Sequence, residues 1–336
     1  MTGKTNLRRE VAQFQVPILR TSVSQLTTSF GGFFATCAAM YAVIDVSTWI
    51  ALALAPLAAG FLVRIFIIQH DCGHFSFFRS RRANDIAGLA CSLLTLTPYA
   101  SWRRQHAGHH GIWNDLDRRQ SGADIYSSCL TVAEYRALSA GKRCWYRATR
   151  HPLVANLLLP PLIFILLYRL PFDMPKCWRR ERRMVHLTTL ALIAALGGLG
   201  LLLGYGRVAA VQLPVMTLGA VIGVWLFSVQ HRGETTRWAR HDVWNPTAAA
   251  LQSSTFLQLP RVLQWFTGNI GFHHVHHLNP RVPNYRLQEC HERIASLCDV
   301  PAGSFWKGLR SLGYVLWDED RDRMTTFREA ARGATP

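Results

Sequence analysis

Acidic residues are scarce in this 336-residue chain, with 20 Asp+Glu against 37 Lys+Arg and a formal net charge of +17. Charged residues of either sign make up only 17%, while hydrophobic residues reach 49%, which excludes a disordered, solvated chain. A soluble protein this basic would point to nucleic acid. The sequence holds no nucleic-acid-binding motif, however, and its apolar runs are too long for that reading, so no nucleic-acid partner is expected. The eight cysteines (Cys37, Cys72, Cys91, Cys129, Cys144, Cys177, Cys290 and Cys298) form no CxxC pair and no disulfide framework. They read as reduced thiols of a cytoplasm-facing protein. Internal repeats and low-complexity linkers are also lacking, so residues 1–336 read as one functional unit. No cleavage pattern follows Lys4, Arg8, Arg9 and Arg20, and the first apolar run reads as a retained membrane helix, not a signal peptide.

What the chain does have is apolar stretches and histidines. Six stretches lie near residues 26–44, 49–68, 86–100, 155–170, 185–204 and 208–229. A bilayer core about 30 Å thick and a rise of about 1.5 Å per helical residue set a span at about 20 residues. The stretches at 26–44, 49–68, 185–204 and 208–229 qualify. The one at 86–100 is short and carries Thr95, Thr97 and Pro98, and the one at 155–170 is broken by Pro160-Pro161.

Three histidine clusters each follow an apolar stretch: His70-Asp-Cys-Gly-His74, His106-Ala-Gly-His109-His110 and His273-His274-Val-His276-His277. Spacings of i, i+4 and i, i+3, i+4 put the imidazoles of a cluster on one helix face. His274 is turned about 100° from His273 and is left out. Cys72 points away from the His70/His74 face and reads as a small filler.

The clusters can meet only on one side of a membrane. Only 86–100 lies between the first two, so it cannot span. Three stretches separate the second from the third, so one of them must also stay on its own side, and 155–170 is the candidate. The expected architecture is an all-α membrane protein with four transmembrane helices in two hairpins. Two interfacial or re-entrant helices and a cytosolic helical cap, from the loops and the segment after about 232, complete it. Basic runs at 79–82, 103–104 and 176–183 make the cluster side cytoplasmic. Arg64 is expected to snorkel from the inner end of the second span. The tail after about 318 is expected to be a solvated charged face that frays.

His231 follows the last apolar stretch and joins the eight cluster residues, giving nine candidate ligands: His70, His74, His106, His109, His110, His231, His273, His276 and His277. Nine imidazoles exceed the three or four that one zinc takes. Two ions with four or five nitrogens each fit the count. Imidazole also suits Zn, Cu and Ni, but a membrane-embedded site without thiolates points to oxygen chemistry and to iron. An all-neutral ligand set calls for nearby carboxylates accepting the outer ring N–H groups. Asp71, Asp115, Asp117, Glu234, Asp242 and Glu289 are the local supply, and Glu234, one turn beyond His231, is the preferred one. His241 and His291 read as surface residues.

These boxes, with the flanking His70-Asp-Cys-Gly-His-Phe-Ser-Phe-Phe, Trp102-Arg-Arg-Gln-His and Leu263 through Tyr285, resemble the membrane fatty acid desaturases. The similarity is strongest to their bacterial acyl-lipid Δ12 (omega-6)/Δ5-type branch and covers about residues 60–290. It implies a di-iron centre, two Fe per chain, held by the boxes plus one further histidine at the inner end of the fourth span, here His231. It also implies O2 as oxidant, an acyl-lipid substrate in a bacterial inner membrane, and ferredoxin or a similar small donor. That donor should be a separate protein, since no cytochrome b5-like domain is fused. A rival with the same core is a membrane hydroxylase or ketolase acting on a lipid or carotenoid. A metal transporter would instead place its ligands near the bilayer midplane within spans.

Overall fold

The computed structural model describes residues 2–119, 128–300 and 302–332, with side chains from Leu7 onward, so that of Lys4 lies outside them. Four helices are long and apolar enough to cross a membrane: Leu19–Val43, Thr48–Gly73, Arg179–Leu203 and Tyr205–His231. They form two hairpins. Ser47 caps the second helix by accepting from the Ile50 N–H. Gly204, at φ 87°, turns the third span into the fourth, in a backbone region that a side chain disfavours. An ion pair joins Asp45 and Arg207 across the two turns, which places both turns at the same end of the bundle.

Lipid gives helices no hydrophobic reason to associate, so packing depends on small residues that allow close approach. The second span supplies Ala51, Ala55, Ala58 and Ala59, all buried. On the fourth span, a Cβ at Gly219 would fall 2.8 Å from Leu62. The first helix begins well before its apolar run because Ser22 and Gln25, though polar, find buried partners. Ser22 donates to the Phe77 carbonyl at 2.6 Å, and Gln25 donates to Asn284 Oδ1 at 2.9 Å. Hydropathy cannot register a polar residue whose partner lies elsewhere in the chain.

Of the two doubtful stretches, the first is a helix too short to span, and the second reaches spanning length only when joined to the helix before it, from which it is sharply bent. Arg81–Thr95 ends where Leu96 adopts a left-handed φ of 56°, and it exposes Ile86, Leu89 and Leu93 while burying smaller residues. Residues 154–169 form an irregular run of π, α and 3-10 turns around Pro160-Pro161, whose missing N–H donors break the regular ladder. This run meets the helix Ala140–Arg150 at 57°. Arg169 at its far end bonds the Leu96 carbonyl. Leu96 adjoins Thr97, whose carbonyl accepts from Gln69, the residue before His70. The run therefore returns to the histidine end of the bundle.

Two expectations need correction. Arg64 does not snorkel: it is 8% exposed, with its guanidinium 3.8 Å from the Trp265 ring centroid and bonded to the Trp265 carbonyl. Protein, not headgroup or water, takes its charge. The tail after 318 is folded, because its charge run forms a hairpin turn. Leu316–Asp318 pairs antiparallel with Arg323–Thr325 and parallel with Leu130–Thr131, burying Leu316, Trp317 and Met324. The cap is thus mainly helical with a small three-stranded sheet, and a second parallel pair joins Phe256–Leu257 to Ala302–Gly303.

Candidate metal centre

Four elements bring the histidines together. His70 lies in the last turn of the second span and His74 caps it. His106, His109 and His110 lie on Tyr99–Ile112, His231 ends the fourth span, and His273, His276 and His277 lie on the short helix His273–Leu278. That short helix is held close by Gly271. The Leu257 N–H donates to the Gly271 carbonyl at 2.8 Å, and a Cβ at Gly271 would sit 2.3 Å from the Leu257 oxygen.

Nitrogens of His70, His74, His106, His110 and His276 all lie within 4.8 Å of one another, as do those of His109, His231 and His277. His273 joins the second group through Nε2 contacts of 3.1 Å to both His231 and His277. His231 and His277 close the triangle at 3.0 Å. His110 bridges the groups, with Nε2 at 2.9 Å from His276 and its ring stacked 4.3 Å from that of His277. All nine predicted residues therefore converge in two adjacent groups, of five and four.

The donor set fits metal ions. Imidazole nitrogens about 2.1 Å from a common ion at ordinary coordination angles stand about 3.0–3.4 Å apart. The Nε2 separations of 2.9–3.2 Å between neighbouring rings match that spacing. His74 Nε2 is buried without a hydrogen-bond partner among the described residues. Burial, reinforced by neighbouring imidazoles, holds His74, His106, His110, His273, His276 and His277 well below the ordinary histidine range. These rings are therefore neutral, with lone pairs free to bind a cation.

Two ring orientations are set by bonds at Nδ1. His231 donates from Nδ1 to the Phe227 carbonyl at 2.7 Å, and His70 Nδ1 lies 3.2 Å from Asp71 Oδ1. Each bond leaves Nε2 facing inward. Asp71, not Glu234, is thus the carboxylate against the cluster. Glu234 is exposed and meets Tyr314 and Arg323, because the chain leaves helical geometry at Arg232 and the one-turn spacing from His231 no longer holds. Asp115 accepts from His241 Nδ1 at 2.7 Å, Asp117 pairs with Arg240 and Glu289 with Arg293.

His274 is fully buried and turned away from both groups, its Nε2 at 3.0 Å from His291 Nδ1. His291 is buried as well, contrary to the expected surface position, because Phe256 and Phe272 pack against its ring. Two tryptophans had no role assigned from the residues, although Trp102 stands in a motif that flanks the second box. Trp102 stacks on His106 at 4.6 Å and 16°, and Trp113 lies 4.4 Å from His231. The signal was present: Trp102 precedes His106 by one helical turn, and Trp113 follows His109 by one.

Comparison with known proteins agrees with this geometry. Residues 47–308 match the fatty acid desaturase family model. The chain is 42% identical over 322 residues to a protein named fatty acid desaturase from Bacillus subtilis, covering 96% of this chain and 90% of that one. It is 27% identical to the sn-1 oleoyl-lipid 12-desaturase of Picosynechococcus, over 76% of this chain and 72% of that protein. The Delta(12) fatty acid dehydrogenase of Crepis alpina is also 27% identical, over 82% and 75%. With the histidine clusters at the ends of four membrane-length helices, the match over most of the chain means that this protein belongs to the fatty acid desaturase family and is an oxidoreductase.

Proposed function

We propose that this protein introduces a cis double bond into an acyl chain of a membrane lipid, as a Δ12 (omega-6)-type desaturase using O2 and electrons from ferredoxin or a similar small carrier. The observation that carries the reading is the convergence of nine imidazoles into a group of five and a group of four. All nine act as ligands, His70, His74, His106, His110 and His276 for one iron and His109, His231, His273 and His277 for the other. The chain works as one unit in a bacterial inner membrane with its histidine end toward the cytoplasm, where the basic segments 79–82 and 176–183 meet anionic headgroups.

Bound iron with O2 would supply the oxidising power to remove hydrogen from an unactivated methylene, which acid–base side chains cannot do. The chain's residues supply placement. Asp71 and the Phe227 carbonyl hold His70 and His231 with Nε2 inward. Trp102 and Trp113 pack on the outer faces of the two groups and exclude water. The likeness to an oleoyl-lipid 12-desaturase and to a Delta(12) fatty acid dehydrogenase, each at 27% identity, supports the Δ12 assignment.

Gas chromatography of lipids from a bacterial host expressing the chain tests the reading. A new cis alkene twelve carbons from the carboxyl end, lost under anaerobiosis, is the expected result. An alkene elsewhere would overturn the Δ12 assignment, and hydroxylated chains without alkene would make the protein a hydroxylase.

A further inference from the structure

Five of the nine clustered histidines are buried and His74, His109, His110 and His277 are half-buried, so protein covers most of the surface through which a soluble carrier would reach them. Trp113 touches three rings of the smaller group, its ring centroid 4.4 Å from His231, 5.2 Å from His109 and 5.8 Å from His277. On its other side, 5.5 Å away, stands Trp238. Backbone pairing fixes this contact. The Ala239 N–H donates to the Asn114 carbonyl at 3.0 Å and the Leu116 N–H to the Ala239 carbonyl at 2.9 Å. Trp244 Nε1 donates to the Trp113 carbonyl at 2.8 Å.

Trp238 in turn lines a cap cavity of about 330 Å³, with Trp244, Trp317 and Asn114. Asn114 Oδ1 and Trp238 Nε1 are both buried without a partner among the described residues. The rim carries Arg237, paired with Asp322, and Arg240, paired with Asp117 and Glu319; all of these are exposed. Exposed pairs are weak and can be exchanged for those of a partner. Trp102, flanking the larger group, leads elsewhere. It lines a separate small cleft with Tyr168, Met174 and Val185, the last on the third span.

We propose that reducing electrons enter through Trp238 and Trp113, from a one-electron carrier protein docked over this cavity. The inference rests on the proposed function. Its occupant is a protein, because an aromatic floor inside a rim of opposed charges has the anatomy of a protein interface. Each transfer oxidises the carrier by one electron and reduces the metal pair by one, with no bond made or broken. Two such electrons, two protons and the two hydrogens taken from the acyl chain convert O2 to two waters. The indoles bridge the gap by ring contact and hold no charge themselves.

The test uses the iron-loaded full chain in nanodiscs, reduced without O2 by reduced ferredoxin or by dithionite, with the ferric absorption followed by stopped flow. Trp238→Leu should slow ferredoxin-driven reduction about tenfold or more, leaving iron content, ferric spectrum and dithionite reduction unchanged. Trp238→Phe, which keeps a ring, should stay within about twofold. Arg240→Glu, at an exposed site that spares the fold, should raise the ferredoxin concentration for half-maximal rate about fivefold and leave the limiting rate intact. Equal ferredoxin-driven rates in Trp238→Leu and the unchanged protein would overturn the route, as would an equal loss with dithionite. No shift in Arg240→Glu would overturn the docking face. Failure of the di-iron reading would show separately, as the absence of a ferric spectrum in the unchanged protein.

Discussion

Asp71 and Asn284 are joined by two hydrogen bonds across the cluster: the Asn284 N–H donates to Asp71 Oδ2 at 2.7 Å and its side-chain amide at 2.8 Å. The other carboxylate oxygen faces His70 Nδ1, and Asn284 Oδ1 accepts from Gln25 on the first span. One carboxylate thus ties a histidine of the second span to the segment after the third cluster. Asp71→Asn removes the charge that favours the outer N–H of His70. Iron retention under chelator competition should fall about 10- to 100-fold, the range found for partners of metal-bound histidines. Unchanged retention in a folded variant would show that the carboxylate serves packing alone.

Replacing any of the nine clustered histidines with Ala should abolish product and lower iron per folded chain, measured by elemental analysis. His151→Ala and His241→Ala should retain activity. His274→Ala belongs to another class, since it strips His291 of a buried partner. It should cost about 1–3 kcal/mol of stability and leave iron per folded chain unchanged. Loss of iron in a folded His274→Ala protein would bring that residue into the centre.

Much of this site was legible in residue spacing. The boxes and His231 declare themselves because helix periodicity fixes which side chains share a face, and the four spans follow from apolar length alone. Contacts between distant segments were not legible. Nothing near Asp71 announces Asn284, and the burial of His291 depends on Phe256, a residue of a two-residue strand. Glu234 was misread because its assigned position required the fourth helix to continue, whereas it stops at His231. Arg64 was misread because its partner, the Trp265 ring, lies in a segment that hydropathy treats as loop.

Topology gives an independent check. Reporter tags at residues 178 and 300 should read the same side, and a tag near 205 the opposite one, with the first two cytoplasmic by the basic-loop bias. A periplasmic signal at 178 would make residues 154–169 a span. The contact between Arg169 and Leu96 would then have to be abandoned.

Acid should destabilise the metal-free protein. Burial beside His291 pushes His274 down to about 3 from an unperturbed 6.5. Below about pH 6.5 the unfolded chain takes up a proton that the folded chain refuses, so stability is greatest above that pH and falls as pH drops toward 3. His106, His110, His273, His276 and His277 are lowered in the same sense. The thermal midpoint of metal-free protein should therefore be lower at pH 5.5 than at pH 7.5, and His274→Gln should flatten part of that slope. A midpoint that rises on acidification would contradict neutral buried rings.

Metal exchange separates holding the fold from performing the reaction. Neutral imidazoles bind zinc as readily as iron, and ligand binding to the folded state alone raises stability. Removing metal should lower the thermal midpoint, and either zinc or iron should restore it. Only iron should restore product, because zinc has no redox chemistry. Two ions per chain are expected by elemental analysis, one for each histidine group. Active protein with a single ion would leave the group of His109, His231, His273 and His277 without its assigned role, and Trp113 would then adjoin no metal.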